Sequence, residues 1–415
     1  QSSLFTFVRY TSGAKILPKR MSTELEIEIS SIPLAPDPVV EPPQEIERIP
    51  LADLSYEQFF ARYLLPNKAV ILSSVADSWE CFRRWINHDS KGLNGAYLRE
   101  AIPNLTVPVA DCGKQYYNSH EKTEMKFHEF LDCWDCREES TSKLYLKDWH
   151  LREMLPEYEF YETPYCFASD WLNEYLLDHG EDDYMFVYLG REGTWTSFHA
   201  DVFSSYSWST NIFGVKKWLL LAPKEEQKLK DSLGNLPFRI SEELLDEKEV
   251  KYYNILQKAG EAIFVPSGWY HQVQNVEDAI SVNHNWFNGC NVKTIWLSLN
   301  DALVQVIKEI DDCKDMENFD EHCQLMLKAS YGMDLNGFIK MLIYICKNRV
   351  SAYRDEAKII HFERYRLGKN HIVFDLKAIR DVLISMIEMR GELLRSLNLF
   401  DELKSYENLI DKLLT

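Results

Sequence analysis

His199, one spacer residue and Asp201, followed much later by His271, is the arrangement that most constrains this chain. In context these residues stand in Thr196-Ser197-Phe198-His199-Ala200-Asp201 and in Phe264-Val265-Pro266-Ser267-Gly268-Trp269-Tyr270-His271. Residues i and i+2 of an extended strand project to the same side, so His199 and Asp201 can converge on one target. His271 lies 70 positions beyond Asp201 and has to arrive from a different strand. The chain must therefore fold so that strands distant in sequence become neighbours. Two imidazoles and one carboxylate can occupy one face of a six-coordinate iron. The opposite face stays open for a chelating co-substrate and O2, the arrangement of non-haem Fe(II) oxygenases.

The rest of the pattern fits such a β framework. Short strand-like segments recur at Leu144–Leu146, Met185–Leu189, Trp218–Leu221, Ala262–Val265 and Ala279–Val282, separated by Gly, Pro and charged turns. That spacing predicts an antiparallel barrel or jelly roll. Upstream, Leu54-Ser55-Tyr56-Glu57-Gln58-Phe59-Phe60 reads as a capped helix start, and Lys68–Leu72 as a buried strand after the Pro66-Asn67 turn. From about Asn291 the apolar spacing becomes helical, over Thr294–Ile310, Phe338–Val350 and Leu376–Leu414, with Gly391 the one break in the last stretch. The expected class is α+β, with residues 51–290 as the catalytic domain and 291–415 as a helical region. That helical layer can be plain packing or a face for homodimerisation, and the pattern does not separate the two.

Residues 1–50 read differently. The first 20 carry Arg9, Lys15, Lys19 and Arg20 and no acidic residue, and Met21 follows. They form either a transit-like leader or sequence upstream of a true start at Met21, and the acidic composition after Met21 favours the second. Residues 22–50 contain Pro33, Pro36, Pro38, Pro42, Pro43 and Pro50 among several Glu, the composition of a mobile or extended linker.

Composition narrows the partners. A formal charge of −19 argues against a general nucleic-acid binder, which needs clustered Lys and Arg. It suits a basic or lysine-containing partner, although a solvated acidic surface is the commoner cause of such a balance. No apolar run approaches the ~18 residues of a membrane span, so no membrane partner is expected. The nine scattered cysteines read as free thiols in a reducing compartment, which predicts a cytoplasmic protein. Cys133 and Cys136 make a single CxxC with no second pair, so two thiols on a helix is the expected reading.

In combination the motifs TSFHAD, FGVKKWLLLAP, GEAIFVPSGWYHQV and ISVNHNW resemble the JmjC-domain family of 2-oxoglutarate oxygenases, over roughly residues 50–290. The resemblance implies a double-stranded β-helix that uses Fe(II), 2-oxoglutarate and O2. It implies that His199, Asp201 and His271 are the iron ligands and the catalytic centre. Lys216, two after Gly214, corresponds to the lysine that pairs with the distal carboxylate of 2-oxoglutarate. Thr196 and Tyr145 correspond to hydroxyls of the same subsite, and Asn285 to a polar residue near co-substrate and iron. Where several relatives carry an asparagine after the first ligand pair, this chain has Ser207 and Ser209, and Ser209 is taken as its replacement. Lys216 and Lys217 face opposite ways on a strand, so one points into the barrel and the other to solvent. No ligand role is expected for His128, His150, His179 or His284. Trp195, Trp269 and Trp286 are expected to pack in the core and rim.

The iron site alone does not separate hydroxylation from demethylation. The Asp ligand, where many demethylases resemble it with Glu, and the lack of a zinc-finger reader or basic tail favour a hydroxylase. Leu144–His150, Ser169–Glu174 and Asn283–Gly289 resemble one branch of the family in particular. That resemblance implies a lysyl hydroxylase whose protein substrate is the eukaryotic translation termination (release) factor. The alternatives are a JmjC lysine demethylase and a non-catalytic barrel that serves as a binding module.

Overall fold

Eight strands between Met185 and Trp286 are divided between two sheets: β1 (Met185–Gly190), β2 (Trp195–His199), β3 (Tyr206–Phe213), β4 (Lys216–Leu221), β5 (Tyr252–Gln257), β6 (Ala262–Val265), β7 (His271–Asn275) and β8 (Ala279–Trp286). In this computed structural model, which describes residues 25–33, 45–87, 92–117, 119–136, 143–354 and 365–415, one sheet runs β2-β7-β4-β5. The other contains β6-β3-β8-β1, and every pairing within these two sets is antiparallel. Consecutive strands change sheet except β4 and β5, which share one, and the arrangement is the double-stranded β-helix that the family resemblance implies. The larger sheet is extended at one edge by Val70–Ser73 and Arg48–Pro50. At the other edge it is extended by Leu144–Trp149, Thr106–Tyr116 and Ser119–Lys126, giving nine strands in all.

The two faces of the larger sheet differ in chemistry. On β3, Tyr206, Trp208 and Ile212 point outward into the main hydrophobic core, and on β8 so do Ile280, Val282 and Trp286. Their strand alternates, Ser207, Ser209 and Asn211 on β3 and Ser281, Asn283 and Asn285 on β8, face the other way and stand opposite one another across the β3–β8 pair. The apolar side takes the helical layer, and the polar side lines the chamber between the sheets.

The helical layer comprises Val292–Glu309, Phe319–Tyr331, Leu335–Arg354, Lys369–Ser396 and Phe400–Leu414. Its apolar faces, among them Ile295, Trp296, Phe338 and Leu376, merge with Trp286 and Phe287 into the same core. A buried ionic knot fastens this layer. Arg349 donates to both oxygens of Glu174 at 2.9 and 3.0 Å and to Asp375 at 2.7 Å. Losing one member of such a buried network costs about 3–5 kcal/mol, because the charge left behind is unpaired.

Two expectations need correction, and two elements had no counterpart in the sequence reading. Leu376–Leu414 is two helices rather than one stretch broken at Gly391. The chain turns at Asn398, which adopts φ 58°, while Gly391 stays helical beside a kink at Arg390. The mobile linker does not extend through residue 50. Leu25–Ile27 pairs in parallel with Tyr365–Leu367, Ile27 and Ile29 are buried, and Arg48–Pro50 adds to the large sheet. The partner strand lies some 340 residues away, so nothing local announces it. The long hairpin Thr106–Lys126 and the helix Phe319–Tyr331 also escaped the pattern, because charged residues interrupt their apolar periodicity. The basic leader and Pro36, Pro38, Pro42 and Pro43 lie outside the described residues. Among the described residues no helix is long and apolar enough to cross a membrane, and all nine cysteines are free thiols.

Candidate active site

His199 ends β2 and His271 begins β7, and the two are paired directly across these antiparallel strands. Their rings stand 4.4 Å apart between centroids. Asp201 lies just past the end of β2. Its backbone stays extended (φ −62°, ψ 150°), so the alternation continues and the carboxylate turns to the same side as His199. One donor atom from each of the three falls within 4.8 Å of the others.

Each of these side chains is held by a second group. His199 Nδ1 lies 2.7 Å from the Ser197 carbonyl and His271 Nδ1 3.1 Å from the Trp269 carbonyl. A carbonyl only accepts, so both Nδ1 atoms carry the proton and both Nε2 lone pairs are free for a metal. Asp201 accepts from Ser207 Oγ at 2.7 Å on one oxygen and from Asn285 Nδ2 at 2.9 Å on the other. Burial, reinforced by the neighbouring His271, lowers the His199 pKa to about 4, so its imidazole is neutral and able to coordinate at physiological pH. Two imidazoles with Nε2 free and a carboxylate, with donor atoms close to one another, fit a divalent iron.

The turn after Asp201 is strained. Phe203 and Ser204 adopt φ 58° and 53°, uncommon values for residues with side chains. Phe203 is held by Tyr184 and Tyr331, at ring distances of 5.5 and 5.8 Å, and Ser204 Oγ bonds Ser298 Oγ at 2.9 Å. Helical-layer residues thus brace the turn that carries a candidate iron ligand.

The deep end of the chamber is built around Lys216. A tight turn at Gly214, with φ 69° and a Cβ position only 2.0 Å from the Asp278 carbonyl, leads into β4. Lys216 points inward, is 2% exposed, and donates to Ser281 Oγ at 2.5 Å. Burial, then the nearby charge of Lys147, lowers its pKa to about 7. Lys217 points outward and pairs with Glu242. Tyr145, on Leu144–Trp149, is buried, with its hydroxyl close to Asn275 and Thr196. Thr196 and His199 are three apart, which in a regular strand would place them on opposite faces. A bulge between them in the β2–β7 register brings both to the inside. Tyr145 is paired with Gly190, where a Cβ would come within 2.6 Å of the Tyr145 ring and closer still to Asn275 and Thr194.

Sequence reasoning missed several chamber residues. Lys147 is on the same strand as Tyr145 at i+2, and it acts electrostatically on both Lys216 and His199. Its spacing from Tyr145 was the available signal. Asn275, Ser281 and Tyr188 complete the Lys216 end, the last with its ring 5.8 Å from the ammonium. Ser207, rather than Ser209, supports the carboxylate, while Ser209 Oγ faces inward without a hydrogen-bond partner. Asn285 is placed on Asp201 and Ser205, close to the metal position. His284 points away, onto Trp208 and Tyr161, as its alternation predicts. Trp195, Trp269 and Trp286 are buried, as expected.

Residues 186–286 match the family described as JmjC domain, hydroxylase. The chain is 45% identical over 391 residues to the "2-oxoglutarate and iron-dependent oxygenase JMJD4 homolog" of Drosophila melanogaster, covering 86% of this chain and 91% of that protein. The chain belongs to the JMJD4 family of 2-oxoglutarate and iron-dependent oxygenases. The human "2-oxoglutarate and iron-dependent oxygenase JMJD4" is 37% identical, with 80% of this chain and 82% of the human protein covered. An Arabidopsis thaliana relative named "Arginine-specific demethylase JMJ20" is 36% identical over 84% of this chain and 80% of its own length. Family membership makes iron the metal and 2-oxoglutarate the co-substrate of this JmjC enzyme.

Proposed function

We propose that this JMJD4-family oxygenase is a protein lysyl hydroxylase acting on the eukaryotic translation termination (release) factor. In this reading His199, Asp201 and His271 hold Fe(II), and Lys216, Tyr145 and Thr196 hold the distal carboxylate of 2-oxoglutarate. The observation that carries it is a chamber with a His2Asp face at one end and a buried lysine at the other. A dianion with a chelating end and a distal carboxylate suits both ends at once. The acidic balance of the chain, −19, favours a basic substrate segment. The motifs around Leu144–His150 and Asn283–Gly289 point to the release factor by resemblance, and a cytoplasmic location goes with that substrate.

Bound iron supplies O2 activation, with 2-oxoglutarate decarboxylated to succinate and CO2, one oxygen atom kept in succinate and the other inserted into a substrate C–H bond. The chain's own residues do the positioning. Ser207 and Asn285 hold both oxygens of Asp201, so the carboxylate cannot swing out of the ligand set. The Ser197 and Trp269 carbonyls fix both imidazoles in the Nδ1–H tautomer. Lys216 and the Tyr145 hydroxyl anchor the far end of the co-substrate, so its keto-acid end meets the metal in one orientation. Strands of both sheets wall the chamber and restrict water.

Intact-mass and fragment mass spectrometry of purified release factor, incubated with enzyme, Fe(II) and 2-oxoglutarate, tests the reading. The expected product gains one oxygen on a lysine, with succinate formed and with no product from the His199→Ala enzyme. Loss of a methyl group from a methylated substrate, with formaldehyde released, would instead establish demethylation, the activity in the name of the Arabidopsis relative.

A further inference from the structure

We propose that His150, Glu153 and Asp183 form a second divalent-cation site, at the rim of the barrel and separate from the iron face. His150 precedes the short helix Leu151–Met154, and Glu153 lies on its first turn, three residues on. Asp183 comes from the segment just before β1. The three present one donor atom each within 4.8 Å of one another. His150 Nδ1 is 2.9 Å from Asp183 Oδ1 and 3.9 Å from Glu153 Oε2. Ligands about 2.0–2.2 Å from a common ion stand roughly 3–3.5 Å apart, so small side-chain adjustments close the set.

Two observations support a cation there. The first is Asp183 itself. Its side chain has no exposed surface, its Oδ1 accepts from the Met185 N–H at 3.2 Å as well as facing His150, and its Oδ2 is buried with no hydrogen-bond partner. A fully buried carboxylate oxygen left this way is costly unless something charged meets it. The second is the local charge balance. The groups that act on Glu153 are Asp183, Asp182 and His150, and those that act on His150 are Asp183, Glu153 and Asp182. Three carboxylates thus act on one histidine. A divalent ion neutralises that excess. One imidazole nitrogen and two carboxylates suit Mn²⁺, Fe²⁺ or Zn²⁺ rather than a soft, thiolate-seeking ion.

The site would have a structural purpose at the mouth. The His150 ring stands edge-on to Phe186 at 5.0 Å. Phe186 lies on β1 opposite Asn283, two residues from the Asn285 that holds Asp201. An ion on His150, Glu153 and Asp183 ties the end of Leu144–Trp149 to the start of β1, where the chamber opens. It thereby stiffens the entrance without joining the iron ligands. The inference does not rest on the identity of the substrate.

The test counts Mn²⁺, a hard ion for which the free thiols compete poorly, by the electron paramagnetic resonance signal of the unbound ion. Chelator-treated wild-type protein is expected to take up two equivalents in the micromolar range. His199→Ala should keep one, Glu153→Gln should keep one, and the double variant none. Glu153 is partly exposed, and its replacement leaves the His150–Asp183 contact in place, so the variant should fold. Asp183→Asn keeps the shape of the buried side chain and should also lose one equivalent. A single equivalent in wild-type protein, or two in Glu153→Gln, overturns the proposal. Failure of release-factor hydroxylation would leave this count unchanged.

Discussion

The two ends of one chamber differ in how completely they are satisfied before anything binds. At the metal face every ligand has a partner: both imidazoles donate to backbone carbonyls, and both Asp201 oxygens accept side-chain hydrogen bonds. At the deep end, Lys216 has a hydroxyl in place of a counter-charge, and Ser209 Oγ and Asn275 Oδ1 lack partners. One end is organised by the protein itself, and the other is organised for a partner that the protein does not supply. Metal geometry must be fixed in advance, because a loosely held ligand set loses affinity and selectivity. An anion subsite can leave its charge unmatched, because binding of the co-substrate then supplies the missing half of the ion pair.

The contrast can be broken most severely at the metal end. His199→Ala should abolish succinate formation while leaving the fold intact by circular dichroism, since it deletes a ligand and not a core side chain. A variant retaining substantial turnover would remove His199 from the ligand set.

Lys216→Met probes the other end and should move two measurements in opposite directions. Affinity for 2-oxoglutarate should fall by the ~2–5 kcal/mol typical of truncating one side of a buried charge pair, read by calorimetry. The melting temperature of the protein without 2-oxoglutarate should rise, because an ammonium without a counter-charge is no longer buried. A fall in both would mean that Lys216 already has a charged partner in the free protein.

Ser207→Ala and Asn285→Ala each remove one support of Asp201. Each should weaken metal affinity by ~10–100-fold, while Ser209→Ala, two residues along the same inner face, should leave it unchanged. Equal effects at Ser207 and Ser209 would undo the distinction between a supported ligand and an unpartnered hydroxyl.

The smallest effect concerns pH. Lys216 has a pKa of about 7 in the free protein, and a bound carboxylate raises it back toward the ordinary value. Binding therefore takes up a proton above pH 7, and the dissociation constant for 2-oxoglutarate should rise by at most ~10-fold per pH unit there. Below pH 7 the ammonium is already formed and this dependence disappears. Because the folded-state pKa lies below the unfolded one, the free protein should also gain stability as pH rises from about 7 toward ~10.4. Lys216→Met should flatten both profiles.

Much of the site was legible because strand geometry has a period of two. His199 with Asp201, the opposite facing of Lys216 and Lys217, and that of His284 against Asn283 and Asn285 follow from alternation, while the family resemblance chose Lys216 as the inward lysine. The fold class followed from the change between strand-like and helical apolar spacing near residue 291. The capped helix start at Ser55 was equally readable, since Ser55 and Gln58 form a reciprocal capping box. What failed to show were features set across the fold. The choice of Ser207 over Ser209 depends on where the turn after Asp201 returns the chain. The joint inward placement of Thr196 and His199 depends on a bulge. The pairing of Leu25–Ile27 with Tyr365–Leu367 joins segments some 340 residues apart.

By itself, then, the amino-acid sequence determined which side chains could share a face and that two imidazoles, a carboxylate and a lysine were available for one chamber. Covalent geometry imposes that alternation locally, whatever the rest of the chain does. Only the tertiary structure decided which strands lie side by side. That register put His199 against His271, brought Asn275 to Tyr145, added Lys147 to the cavity, and gathered His150, Glu153 and Asp183 at its rim. Those encounters depend on packing between residues far apart in the chain, for which a local pattern carries no signal.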